Sequence, residues 1–338
     1  MSVATSGYSA INSYVFGVVS IVLNSLLIYV IQKRRSRVIG AYKHMMTACA
    51  VLDICFSAVY ILASPTFAAT SEMSALLIVN GGFLPLSVGL DRVLLVLFVL
   101  LLCQSLVTPP CLFVFRYLQI CRTNYIAQRC RWLRYFLAVP CLISITICSM
   151  ICFAAWPTDF DLVYFSSIAY EINVSRNTTY LVATLHKAIN NSVFDVIQSL
   201  TLLIATISII IVMLTTMVVM IFCSRKIVSV VMNKTYGNTR RLHIQLCKAL
   251  AAQFASPFIL LHIPFYISVL APLFEGRTGE ASNYFPFLFA WCPAINPLIA
   301  IYFVREYRQF VLSYFSRKKT PSSCSTLFLA EIRKSFSR

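Results

Sequence analysis

Few residues in this chain are of types that do chemistry, and their spacing argues against most of it. Four histidines (His44, His186, His243 and His262) fall in four different segments with no metal-like pairing. No Gly-rich phosphate loop, nucleophile elbow or pair of carboxylates inside an apolar run occurs, so the sequence points to no enzyme, no metal and no cofactor. Of the thirteen cysteines, Cys49, Cys55, Cys103, Cys111, Cys141, Cys148, Cys152 and Cys292 sit in apolar runs, where a thiol packs as a small apolar group. Cys121, Cys130, Cys223, Cys247 and Cys324 lie beside basic segments, and Cys324 is a candidate for palmitoylation.

More pointed are polar groups set within apolar surroundings. Asp53 interrupts AVLDICFSA. An ionisable group at such a place is costly and is a functional candidate: it would bind a cation, hydrogen-bond to Asn24 or Asn296, or sit protonated as a packing residue. His262, in PFILLHIPFY, either faces a ligand or is a satisfied interior histidine. Prolines recur: Pro109 and Pro110 break one apolar run, Pro257, Pro264 and Pro272 another, and Pro293 and Pro297 flank Asn296 in PAINPLIAIYFVREYRQFVL. A helix-interior proline removes a backbone hydrogen bond, so each is a hinge for two-state movement or a static kink.

The elements that must position these residues follow from composition. Of 338 residues, 12% are charged and 59% hydrophobic. Soluble domains carry about 25% charged residues, so lipid is this chain's main solvent. A helix crosses a hydrocarbon core of about 30 Å with about 20 residues. Seven runs are long enough: Ser13 to Ile31, Met45 to Ala69, Val93 to Phe115, Tyr135 to Trp156, Val196 to Cys223, Ala249 to Phe274 and Tyr284 to Val304. Their length and lack of alternation exclude barrel strands, and the first run reads as a retained helix without a basic leader.

Charge fixes the expected orientation. The segments 32–44, 116–134, 223–248 and the tail from 305 hold 24 of the 28 basic residues, while Arg92, Arg176, Lys187 and Arg277 fall on the other side. Cytoplasmic loops carry the lysines and arginines, so the N-terminus is expected outside and the tail inside. The longest outer loop, 157–194, carries glycosylation sequons at Asn173, Asn177 and Asn190, whereas the sequon at Asn233 lies on the inner side. The net charge of +17 is thus a positive-inside signal facing anionic lipid, and nucleic acid drops out as a partner. The fold class expected is an all-α membrane protein: a seven-transmembrane helix bundle with an amphipathic eighth helix, in which Phe310, Val311, Tyr314 and Phe315 share one face. Residues 1–12 form a short outer N-terminus, 13–304 the bundle and 305–338 the cytoplasmic tail.

Several segments, in order, resemble one family, the nematode serpentine chemoreceptors of the Str class. GAYKHMMTACAVLDICFSA (40–58) is similar to the family's start of the second helix, and FVFRYLQIC (113–121) to its Phe-x-Tyr-Arg-Tyr end of the third. RRLHIQLCKALAAQFASPFILLHIPFYISVLAPLF (240–274) resembles its sixth helix, and the PAINPL stretch its Pro-x-x-Asp-Pro-Leu…Tyr-Arg end of the seventh. Departures are Asn296 for the usual Asp, Phe115 for the tyrosine before Arg-Tyr, and Cys247 for the usual Phe. PAINPL also nearly spells the Asn-Pro-x-x-Tyr of rhodopsin-like receptors, but Tyr302 arrives two residues late, about 200° further round a helix. The cysteine that those receptors use to tie the third helix to an outer loop has no counterpart in the outer loops here, and the seventh run lacks the lysine of a retinal-binding opsin.

The resemblance implies a G-protein-coupled receptor in the plasma membrane, specifically the ciliary membrane of chemosensory neurons. Its partners would be the lipid bilayer, a small-molecule ligand, volatile ones included, and a heterotrimeric G protein. In receptor terms the ligand pocket is expected in the outer half of the bundle, with Gln104, His262, Tyr266, Tyr284 and Trp291 as candidates and a small, weakly polar ligand. Asp53, Arg116, Tyr117, Asn296 and Pro297 are the switch candidates; Arg116 meets the sixth-helix base or the partner, or else snorkels. Arg240, Arg241, Gln245 and Lys248 are the G-protein contacts. The rival reading is a ligand-gated channel or transporter, against which the charge split, the odd helix count and the absence of a visible repeat all argue.

Overall fold

Backbone polar groups cannot be left open in hydrocarbon, and the long apolar runs resolve that by closing into helices. The computed structural model describes residues 4–33, 42–70, 75–80, 87–122, 138–166, 179–184, 193–234, 237–264, 267 and 285–317. The long helices are α1 (Ala4–Lys33), α2 (Tyr42–Ala63), α3 (Val88–Cys121), α4 (Ala138–Ala155), α6 (Val193–Lys234), α7 (Gly237–Pro257) and α8 (Phe285–Phe303). Two shorter ones are α5 (Asp159–Tyr164) and α9 (Arg305–Arg317). Among the described residues six helices are long and apolar enough to cross a membrane, and the pair α8–α9, bent by 97°, brings the number to seven.

Local chemistry sets several boundaries. Ser87 caps α3 by accepting a hydrogen bond from the Leu90 amide, with Asp91 in the first turn to meet the positive end of the helix dipole. Thr158 and Asp161 form a reciprocal capping box at α5. Gly237, the first residue of α7, takes φ +63°, a conformation glycine adopts without steric cost. α1 packs closely on α2 because Gly17 has no side chain; a Cβ there would overlap Ile61. α3 is the central post, with side chains in both main apolar clusters. It runs unbroken through Pro109 and Pro110 for 34 residues, where the sequence suggests an interruption.

The second departure is a sheet in a bundle expected to be all helix. α2 ends at Ala63, not Ala69, where Ser64 turns the chain at φ +40°. The next residues form β1 (Pro65–Thr70), which pairs antiparallel with β2 (Ala75–Asn80); β2 in turn pairs antiparallel with β3 (Tyr180–Thr184). In register, Phe67 faces Ile78 and Ile78 faces Leu181. Thr66, Phe67, Leu77–Asn80 and Tyr180–Val182 are all buried, so the sheet lies between other elements and has no free face along these residues. Phe67 stands edge-on to Phe289 of α8 (5.3 Å between centroids) and tilted against Phe98 of α3 (6.2 Å). Asn80 donates to Asp91 at 2.9 Å, and the Tyr180 hydroxyl donates to the carbonyls of Asp161 and Leu162. Burial, then the nearby Asp161, pushes the Tyr180 phenol up to about 12, so it remains a donor.

Side-chain interactions close both ends of the bundle. At the sheet end Arg92 lies 5.3 Å from the Trp156 ring, joining α3 to the chain just after α4. At the opposite end α9 turns across the bundle and buries Tyr307, with Phe310 and Val311 partly buried on the same cluster. Tyr314, expected on that apolar face, is instead 53% exposed.

Candidate functional site

A cavity of about 100 Å³ lies between α2, α3, α7 and α8, with room for a molecule of a few heavy atoms. Its wall is mostly apolar (Phe56, Leu101, Leu112, Phe254, Leu261), with Asp53, Gln104, Ser105, Thr108, Gln253 and Asn296 as convergent polar groups. That is the composition of a small-molecule site. It lies around the middle of the helices, deeper than the outer half expected from sequence: Cys49, Leu112 and Leu250, towards the α9 end, are part of its lining.

Prolines shape this cavity by freeing backbone groups that side chains must then satisfy. Pro297 has no amide to give the Pro293 carbonyl, and Asn24 of α1 supplies one, donating from Nδ2 at 3.0 Å. Of the two partners the sequence leaves open for Asp53, the structure selects the other: Asn296 Nδ2 donates to Asp53 Oδ2 at 3.1 Å. Gln253 of α7 donates to the Asn296 carbonyl at 3.2 Å, so α2, α7 and α8 are joined by one polar chain. Pro257 ends the regular α7 ladder, and the chain passes into a π turn, Phe258–His262, a feature frequent at functional sites.

Asn296→Ala strips the Asp53 carboxyl of its side-chain donor. It is expected to lower stability by about 1–3 kcal/mol, read as the thermal midpoint of the purified protein in detergent. In an Asp53→Ala background the same change should cost less, because no carboxyl remains to be left unpaired. Equal costs in both backgrounds would show that the bond contributes nothing.

The structure does not gather the five pocket candidates in one place. Gln104 lines the central cavity and donates to Thr108 at 2.9 Å. His262 is buried on the other side of α3, in a small apolar void of about 20 Å³ with Leu102, Leu106, Ile147 and Ile209. Ser105 links the two, since it is part of the lining of the central cavity and its hydroxyl lies 3.4 Å from His262 Nε2. Trp291 faces away: it is 43% exposed, stacks on Phe16 of α1 and donates to Asn12. Tyr266 and Tyr284 lie outside the described residues, as do Asn173, Asn177 and Asn190. Sequence reasoning missed Ser105, Thr108 and Gln253, all uncharged polar residues of the kind that dot any membrane helix.

At the α9 end Arg116 is 1% exposed, so it does not snorkel; it donates to Gln119 at 2.8 Å. Its charge reaches His243, Cys247 and Tyr307. Tyr117 packs against Phe222 of α6, and Pro297 is buried. Arg241 and Lys248 are exposed, Arg240 donates to the Met232 thioether, and Gln245 accepts from the Arg305 amide, fastening α7 to the start of α9. The eleven described cysteines are free thiols, none of them in a disulfide.

Known proteins are similar in sequence to this chain over most of its length. The chain is 26% identical over 302 residues to the G-protein coupled receptor str-33 of Caenorhabditis elegans, covering 86% of this chain and 85% of that one. It is 24% identical to the serpentine receptor class r-10 of Caenorhabditis briggsae over 314 residues, and 25% identical to that of C. elegans over 310, each covering 89% of this chain and 88% of the relative. Residues 9–312 match the model of the serpentine-type seven-transmembrane GPCR chemoreceptors Str, and the chain belongs to that family.

Proposed function

We propose that this protein is a chemosensory receptor that binds a small-molecule ligand inside the bundle and activates a heterotrimeric G protein at the α9 end. The observation that carries the reading is the central cavity itself. Its walls include the proline-bearing α7 and α8, and its polar lining is continuous with the Asp53–Asn296–Gln253 chain that joins three helices. A ligand that fits one of two helix arrangements better shifts the population by that difference in affinity, and kinked helices are natural places for the difference to act. With an apolar wall and neutral amides and hydroxyls, the cavity suits a small, weakly polar ligand. Gln104, and Ser105 with His262 behind it, are the first contacts. Tyr266 and Tyr284 remain candidates from the sequence, and Trp291 holds α8 against α1.

The positive-inside distribution supports an outer N-terminus and sheet and an inner α9, which leaves Asn173, Asn177 and Asn190 on the side where glycans are added; the family likeness supports a plasma-membrane site in the sensory cilium. Arg240, Arg241, Gln245 and Lys248 then fall on the G-protein side. Two experiments test this. Glycosylation mapping is expected to find glycan at one or more of Asn173, Asn177 and Asn190 and none at Asn233; the reverse pattern overturns the orientation. A panel of volatile and soluble small molecules applied to receptor-expressing cells is expected to evoke G-protein activation. Ligand-gated current that persists without G proteins would favour a channel.

A further inference from the structure

Tyr307 stands apart among the residues that the switch reading leaves unused. α9 is mostly charged and exposed at its start, REYR, yet Tyr307 is 1% exposed and is, with Arg116, among the largest fully buried side chains of the chain. Its ring enters an apolar cluster built from α1, α2, α3, α6, α7 and α8, including Met46, Leu112, Leu246 and Val304. The α8–α9 elbow directs it there: Tyr307 and Arg308 both donate their amides to the Val304 carbonyl. On the outside of the same elbow, Arg308 donates to the Tyr302 carbonyl and lies 5.9 Å from the Tyr302 ring, which is 65% exposed. Tyr302 therefore braces the bend from outside, and Tyr307 is the tyrosine inside the bundle.

The hydroxyl of Tyr307 is poorly served. Among the described residues its hydrogen-bond acceptor is the Met46 thioether of α2, at 4.0 Å, and thioether sulfur is a weak acceptor. A buried hydroxyl without a good partner carries its desolvation cost, so an arrangement of helices that offers it an oxygen is favoured by that amount.

We infer that Tyr307 is a positioning residue of the receptor switch. Its ring holds α9 in the described arrangement, and its under-bonded hydroxyl biases the bundle towards a second, signalling arrangement in which α2 and α9 separate and the hydroxyl leaves Met46 for a better acceptor. The inference rests on the receptor reading above. It assigns opposite effects to two parts of one side chain, which a merely structural residue would not show.

The test uses the full-length receptor in detergent, without ligand. Tyr307→Phe removes the hydroxyl and keeps the ring, so the thermal midpoint should stay level or rise, while ligand-free nucleotide exchange on a purified heterotrimeric G protein falls, by up to about tenfold. Met46→Gln hands the hydroxyl an amide oxygen. It should raise the midpoint and lower exchange in the Tyr307 protein, with neither effect in the Tyr307→Phe protein. Met46→Leu, which removes the acceptor, should raise exchange. A lowered midpoint for Tyr307→Phe, or equal effects of Met46→Gln in both backgrounds, overturns the inference. Exchange that is present but indifferent to Tyr307→Phe also sinks it, whereas exchange absent from the wild type and every variant would instead sink the receptor reading.

Discussion

Arg116→Ala receptors reach the cell surface and do not signal: this is the largest functional effect expected of any single substitution in the chain. Arg116 closes α3 at the end where α7 and α9 converge, and its fixed charge reaches His243 and Cys247 of α7 and Tyr307 of α9. A guanidinium at 1% exposure is not an interfacial anchor; it is a charge held inside the bundle, and on the proposed reading it belongs to the switch. Under the proposed receptor reading, removing it takes away the charge between α3, α7 and α9, while the apolar cluster that includes Leu112, Phe113 and Leu246 remains to keep the fold. Surface labelling should be retained within about twofold, and evoked activation should fall by at least about tenfold, the equivalent of 1.4 kcal/mol. Arg116→Lys separates charge from shape. Lysine keeps the positive charge but lacks the planar fork that binds Gln119 in this geometry, so partial activity is expected. Normal signalling by Arg116→Ala would remove this residue from the switch.

Phe67→Ala is the substitution expected to cost most in stability. Phe67 is 2% exposed and lies where β1, α3 and α8 meet, against Phe98 and Phe289. Truncating a buried phenylalanine costs about 3–5 kcal/mol, part lost transfer energy and part cavity, and each aromatic pair adds about 0.5–1.5 kcal/mol of that. The thermal midpoint of the purified receptor should fall clearly, and Phe67→Leu, which refills most of the volume, should fall less. A midpoint unchanged by Phe67→Ala would mean that the sheet is not packed onto the bundle as described. β3 belongs to the long segment after α4, which contains no cysteine, and its backbone pairing with β2 ties that segment down.

The helices were legible in the sequence because hydrocarbon tolerates neither charge nor open backbone; uncharged runs bounded by basic clusters have one outcome. α9 was legible for a similar reason, an apolar face beginning just past Val304. The sheet was not. PTFAAT, ALLIVN and YLVAT are short apolar runs that suit a strand or the end of a helix equally, and Ile78 pairs with Leu181 across a hundred residues of sequence. Side-chain direction was equally hidden. α8 is apolar on every side, so no periodicity marks which face is buried, and Trp291, next in sequence to the cavity residue Cys292, proves to face α1. Tyr307 was obscured by its charged neighbours, which drew attention to Phe310 and Val311.

The sequence by itself determined the solvent, the existence and order of the long helices and, through its ordered motifs, the family. Each of these depends on composition summed over tens of residues or on residues close together in the chain. The limits of the helices came only with the fold, as α2 stopping at Ala63 shows. Tertiary structure decided which polar residues meet. Asp53 takes Asn296 and not Asn24 because Asn24 is drawn to the carbonyl that Pro297 leaves open. His262, the last residue of the π turn, and Gln104 of α3 line different cavities, with Ser105 between them. Such pairings turn on rotations of tens of degrees and separations of a few ångströms, set jointly by all the helices packed around α3, and no segment encodes them alone.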